Sequence, residues 1–367
     1  MKNTNLITGE NCILNTLPKI LPGKVCLIVT GRSSAVKSGA LHDVTEALNS
    51  SACRFIVFNG MTENPTIDAC REASKLGRDY GAEFVIAIGG GSPIDGAKAA
   101  AVFAVNPDMT DEELFDPQVP KTALPLIAVP ITAGTGSEAN ASAVITYAGK
   151  KRSFTDPSVL PCSAFLDPRY LCTLNSEYTV STAIDAFCHC FESYMSPKST
   201  SDSEKDALEG GSIMWKALTE NDFIGSDRDA AGLSRETRAA MLRGAALGGR
   251  AIMTTGTGFT HPLGYYLTLN HGIPHGFACG AFTGVYVRYN LKTPDGARRA
   301  TEFAAGIGTI PEVIAEVIPA LADVNLTLSQ SEITAAVKMA SGAKNYKNSP
   351  AVIGDNDAED ILKNLFG

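Results

Sequence analysis

The 367-residue chain contains no apolar run near the roughly 20 residues that a helix needs to cross a bilayer. Its start, MKNTNLITGEN, lacks the charged-then-apolar pattern of a secretory signal, so a cytoplasmic location is expected. Positive charge is scarce as well. Thirty-one Lys and Arg against 39 Asp and Glu leave a formal net charge of −8, which gives no basic face for nucleic acid or an anionic membrane. Internal repeats, low-complexity tracts and a long linker are missing. The nine cysteines follow no repeated spacing, so reduced thiols are expected rather than a disulfide framework. What is present, 44% hydrophobic and 19% charged residues, describes a compact globular enzyme long enough for two domains.

From residue 24 to about 130, short apolar runs (KVCLIVT, RFIVF, FVIAI, PLIAVP) alternate with amphipathic segments. That alternation predicts a parallel sheet covered by helices, with ligands beyond the C-terminal ends of the strands. ASAVITY and KRSFT suggest a hairpin, and AFLDP at 164–168 a last strand. From Asn175 onward helical periodicity takes over, with the boundary between Asp167 and Leu174.

At FVIAIGGGSPIDGAKAA, residues 84–100, three glycines separate a strand from a helix expected to run from Ile94 with Pro93 in its first turn. Glycines at such a junction let a ligand approach the main chain. The helix start offers unpaired N–H groups and Ser92 a hydroxyl, a combination suited to phosphate; an ordinary tight turn is the alternative.

Of the five histidines, three fall in HPLGYYLTLNHGIPHG at 261–276 and one in IDAFCHCF. Asp185 and His189, four apart on a helix, share a face. Alone they read as a surface pair or a core contact. His261 and His275 flank a Gly/Pro-punctuated stretch that lets the chain turn back toward that pair, and one carboxylate with three imidazoles suits Fe(II), Zn(II) or a neighbouring metal.

Together these motifs resemble the iron-containing (group III) alcohol dehydrogenases, relatives of lactaldehyde reductase and butanol dehydrogenase, over essentially the whole chain. GGGSPIDGAK is similar to the family's GGGSxxDxAK loop, PITAGTGSEAN to its PTTAGTGSE segment, IDAFCHCFESY to its DAxxHxxE helix, and HPLGYYLTLNHGIPHG to its closing histidine pair. The resemblance implies an α/β Rossmann-like dinucleotide-binding domain (1–170) followed by an all-α metal- and substrate-binding domain (171–367), the dehydroquinate synthase-like fold. Nicotinamide and metal would meet between them. It implies a metal-dependent, NAD(P)-linked dehydrogenase or reductase of small alcohols and aldehydes, with a homodimer or larger assembly. A dehydroquinate synthase-like lyase and a glycerol-type dehydrogenase are the alternatives within the superfamily.

Carried over by position, the resemblance makes Asp185, His189, His261 and His275 the metal ligands, for Fe2+ with Zn2+ as the alternative. Gly89, Gly90, Gly91, Ser92 and Asp95 match pyrophosphate and ribose contacts, Thr132, Thr135 and Ser137 hydroxyls near the cofactor, Asn64 a recurrent cleft residue, and Lys151 a cofactor-binding lysine. Two departures stand out. Where members often carry a proton-shuttling histidine, four residues after the third ligand, this chain has Tyr265; Tyr265, His271 or a water chain would then relay the proton. Where NAD-preferring members carry an Asp after the first strand, this chain reads IVTGRSS. Gly31 removes that carboxylate, and Arg32, Ser33 and Ser34 supply donors for a 2′-phosphate, which points to NADP with NAD as the alternative. Cys188 and Cys190 are expected to pack, with Cys279 the thiol nearer the site. IMTTGTGFT at 252–260 supplies small, uncharged residues for the substrate pocket.

Overall fold

The structure is a computed structural model and describes residues 3–221, 223 and 229–367. Its contacts divide into two units, 1–174 with 234–246, and 175–233 with 247–367.

The first unit contains β1 (Asn5–Thr8), α1 (Cys12–Ile20), β2 (Val25–Thr30), α2 (Ser34–Lys37), α3 (Ala40–Ser50), β3 (Arg54–Phe58), α4 (Ile67–Tyr80), β4 (Phe84–Gly89), α5 (Gly91–Val105), α6 (Asp111–Phe115), β5 (Leu126–Pro130), β6 (Ser142–Tyr147), β7 (Lys150–Thr155) and β8 (Ser163–Leu166). Among the described residues six strands form one parallel sheet in the order β1-β8-β5-β4-β2-β3. Strands β2, β4 and β5 are buried along their whole length, which explains why they read as unbroken apolar runs rather than alternating ones. Strand β1 was not anticipated. NLIT is too short to carry a pattern, and its place is set by pairing with the distant β8, Asn5 opposite Ser163.

Register brings the strand ends together. Thr30 pairs with Ile88, and Gly89 with Pro130, so the loops after β2, β4 and β5 leave the sheet along one edge. Helix α5 starts at Gly91, three residues earlier than expected, with Gly90 as its extended N-cap and the Ile94 amide bonded to the Gly90 carbonyl. The expected hairpin is β6–β7, closed by Ala148 and Gly149, both at positive φ.

The second unit is helical: α7 (Ser176–Met195), α8 (Ser201–Thr219), most of the C-terminal half of α9 (Arg235–Thr255), α10 (Thr260–His271), α11 (His275–Asn290), α12 (Pro294–Gly306), α13 (Pro311–Ala322), α14 (Gln330–Ala340) and α15 (Asp355–Phe366). Small residues on α11 set its approach to its neighbours. A Cβ on Gly276 would sit 1.7 Å from the Ser181 carbonyl oxygen of α7, and one on Gly280 2.8 Å from Ile184 Cγ2. On the far side a Cβ on Gly284 would sit 2.6 Å from the Ala315 carbonyl oxygen of α13. Bulk at these positions would hold the helices apart. No single described helix is long and apolar enough to cross a membrane.

Candidate functional site

In the second unit, the close approach of α11 to α7 assembles a buried acid–imidazole cluster. Asp185 and His189 lie one turn apart on α7, His261 at the second position of α10, and His275 at the first position of α11. All three imidazole Nε2 atoms face one oxygen. Asp185 Oδ1 is 3.7 Å from His189, 3.6 Å from His261 and 3.9 Å from His275. These separations are too long for hydrogen bonds, and Asp185 Oδ1 and His261 Nε2 are buried without a hydrogen-bond partner. Ligand atoms about 2.0–2.1 Å from a shared tetrahedral ion stand about 3.4 Å apart, so the spacing fits donors arranged around a cation. An orphaned carboxylate oxygen opposite an orphaned imidazole nitrogen is costly without one. Burial pushes the Asp185 carboxyl up, but His189, His261 and His275 outweigh it and hold the group well below the usual carboxylate range.

Glu192, three residues beyond His189, lies within the IDAFCHCFESY helix, where spacing alone assigns it no role. Its Oε2 lies 2.8 Å from His261 Nδ1 and accepts from the Gly258 amide at 2.6 Å, while Oε1 accepts from the Thr260 hydroxyl. Glu192 therefore lies against the Nδ1 side of His261, the position from which a carboxylate orients an imidazole whose Nε2 faces the cluster. Cys279, one turn beyond His275, places Sγ 3.7 Å from His275 Nε2. Ligand atoms of Asp185, His261, His275 and Cys279 all lie within 4.8 Å of one another. Burial pushes the Cys279 thiol up to about 11.

The two expected proton carriers occupy different surroundings. Tyr265 stacks on His275, with ring centroids 5.4 Å apart, and burial raises its phenol. His271, the last residue of α10, lies 3.4 Å from Glu332 Oε1 and beside the Tyr266 ring. Cys188 and Cys190 are buried, Cys188 against the Thr283 hydroxyl.

In the first unit, the loop after β4 meets the loop after β5. A Cβ on Gly90 would approach Thr132 Oγ1 to 3.1 Å, and one on Gly91 would come within 2.7 Å of Thr135 Cγ2. A Cβ on Gly89 would fall 2.4 Å from Pro93 Cγ. The glycines are thus demanded by the protein's own packing, besides leaving α5 with a first turn that no side chain caps. Ser92 Oγ accepts from the Asn64 amide at 3.2 Å, and Asn64 itself is at positive φ. Thr132 and Thr135 are partly exposed.

Asp95 and Ser137 turn inward instead. Asp95 accepts from Ser137 Oγ at 2.5 Å and from the Val144 amide at 2.9 Å, so both carboxylate oxygens are committed inside the unit. Beneath them Lys98, fully buried, donates to Ser137 Oγ and to the Ser137 and Ser142 carbonyls. Lys98 and Glu138 are buried ionisable residues that the motifs do not announce, although a lysine inside GAKAAAVFAV is an anomaly in the sequence itself. Lys151 lies half-buried on β7. Gly31 carries no positive φ; a Cβ there would meet Met61 O and Ser34 Oγ at 3.4 Å, a contact the site can absorb. Arg32, Ser33 and Ser34 are exposed.

Comparison with known proteins identifies the family and the fold. The family model described as iron-containing alcohol dehydrogenase matches residues 3–168, and that for the C-terminal part of the Fe-containing alcohol dehydrogenases matches 179–366. Lactaldehyde reductase of Escherichia coli K12 is 29% identical over 268 residues, 72% of this chain and 68% of that protein. An iron-containing alcohol dehydrogenase from Thermotoga maritima superposes with a TM-score of 0.89 at 32% identity, over 99% of this chain and 98% of that one. Sulfoacetaldehyde reductase from Bifidobacterium kashiwanohense, solved with NAD+, superposes with a TM-score of 0.86 at 25% identity, over 100% and 97%.

One unit is parallel α/β with an uncapped, glycine-led helix and the other is helical with an acid–imidazole cluster, and with these relatives the chain is an oxidoreductase of the alcohol dehydrogenase and aldehyde reductase class. It belongs to the iron-containing alcohol dehydrogenase family.

Proposed function

We propose that the protein interconverts small aldehydes and alcohols using NADP in preference to NAD, with Fe2+ (Zn2+ as the alternative) held by Asp185, His189, His261 and His275. The convergence of three imidazoles on the orphaned, buried Asp185 Oδ1 carries this reading. When bound, the ion supplies a Lewis acid for the substrate oxygen and the nicotinamide supplies or accepts the hydride.

The chain's own residues bind, orient and protonate. The first-turn amides of α5, from Gly91 and Ser92, hold the pyrophosphate, with Gly89 and Gly90 letting the loop pack against Pro93 and Thr132 so that this turn stays uncapped, and Thr132 and Thr135 offering hydroxyls. Asp95 and Ser137 shape that loop through their mutual bond. Asn64 steadies Ser92, and Lys151 neutralises phosphate charge. Gly31 leaves room for a 2′-phosphate that Arg32, Ser33 and Ser34 recognise. Glu192, 2.8 Å from Nδ1, aims the Nε2 of His261 at the cluster. Tyr265 holds the exchangeable proton at Oη; its stacking on His275 favours it over His271, whose polar neighbour is Glu332.

We also place the protein in the cytoplasm as a homodimer or larger assembly. Nine free cysteines fit a reducing compartment, and the edge strands β1 and β3 leave ladder groups open to a second copy. The activity is tested by following NADPH and NADH oxidation with short-chain aldehydes, using anaerobically purified enzyme before and after chelation. Turnover with NADPH that chelation abolishes and Fe2+ restores is expected. Turnover with NADH alone would refute the role given to Gly31.

A further inference from the structure

We propose that Cys279 Sγ is itself a ligand of the divalent ion, so that the centre carries sulfur in addition to oxygen and nitrogen donors. The inference rests on the reading that Asp185 and its histidines hold that ion.

The placement is built into α11. Cys279 follows His275 by one turn and so projects from the same face. Gly276 and Gly280 flank it in the sequence and draw this face onto α7, where a side chain at either position would strike Ser181 or Ile184. The thiol is fully buried within the cluster. Its Sγ is 3.7 Å from His275 Nε2. Two donors of one five-coordinate ion, with metal–sulfur near 2.3 Å and metal–nitrogen near 2.0–2.1 Å at angles of roughly 90–120°, stand about 3.1–3.8 Å apart.

Among the described residues, the group whose ligand atoms mutually approach within 4.8 Å is Asp185, His261, His275 and Cys279; of the nine cysteines it takes in this one. Two of its members, Asp185 Oδ1 and His261 Nε2, are buried without a hydrogen-bond partner, so they independently mark the space as a donor site. Cys188, also buried on this side of α7, instead contacts the Thr283 hydroxyl.

As the sulfur–metal bond forms, the S–H bond breaks and its proton passes to solvent; no oxidation state changes. A thiolate shifts the donor set toward the softer end of the divalent metals, favouring zinc and cobalt relative to what an all-N/O site would hold.

The test uses the full-length enzyme stripped of metal and titrated with Co2+, together with Cys279→Ser, Cys279→Ala and Asp185→Ala. Wild type is expected to bind cobalt with visible d–d bands and a near-ultraviolet sulfur-to-cobalt charge-transfer band. The two Cys279 variants should keep the d–d bands, lose the charge-transfer band and bind cobalt at least about tenfold more weakly. Wild type that shows d–d bands without the charge-transfer band would overturn the thiolate ligand and leave the ion site standing. A charge-transfer band that persists in the Cys279 variants would arise from another thiol and would overturn it too; Asp185→Ala, which loses a shared oxygen donor, should bind cobalt more weakly than wild type. Wild type that takes up no cobalt would overturn the ion site and this inference with it.

Discussion

Asp185 and Glu138 are both buried carboxylates, and their surroundings drive them in opposite directions. Three imidazoles hold Asp185 ionised. Glu138, with Oε1 unpartnered, is pushed by burial up to about 7 despite Lys98. Its folded value lies above the ordinary 4.5, so its contribution to stability is full below pH 4.5 and is lost as the pH rises through about 7. The slope is at most about 1.4 kcal/mol per pH unit. Glu138→Gln should therefore flatten the fall in unfolding free energy across that window, as followed by urea denaturation at stepped pH. At Gly31 the expected effect is on selectivity. A side chain fits there without a positive φ to strain it, so Gly31→Asp should fold normally and lower kcat/KM for NADPH relative to NADH by about tenfold or more, through repulsion of the 2′-phosphate. Steady-state kinetics with both cofactors reads this directly.

At the scale of elements, the cluster depends on how closely α11 lies on α7. Gly276→Ala puts a methyl 1.7 Å from the Ser181 carbonyl, which a backbone must move to accommodate. The expected cost is about 1–3 kcal/mol in chemical denaturation, accompanied by a lower metal content, because His275 and Cys279 move with the helix. A variant that lost stability while keeping its metal would show that the helix contact does not position the ligands. Helix α5 shows the same dependence from the other direction. Glycines at a strand–helix junction suggest room for a ligand, yet Pro93, Thr132 and Thr135 already occupy the space a Cβ would need. Local sequence identified the junction, and the neighbouring loop supplied the steric reason.

For the whole molecule, the alternating apolar runs and amphipathic segments made the parallel sheet and the helical second half readable, because each period reports burial directly. Strand β1 and the strand order were not readable, since a pairing such as that of Asn5 with Ser163 leaves no local trace. The shared helix face of Asp185 and His189 followed from the 3.6-residue period. The meeting of His261 and His275 with them depends on the packing of α10 and α11, which motif resemblance suggested and spacing alone left open. The grip of Glu192 on His261 was hidden for a related reason: a glutamate on a helix reads as surface until its partners are known. The central claim is that Asp185 and the histidines facing it hold one divalent ion. Metal analysis of anaerobically purified wild type and Asp185→Ala tests it most directly, with circular dichroism establishing that both are folded. About one transition-metal ion per wild-type chain and almost none in the variant is predicted; equal metal content in the two proteins would contradict the account.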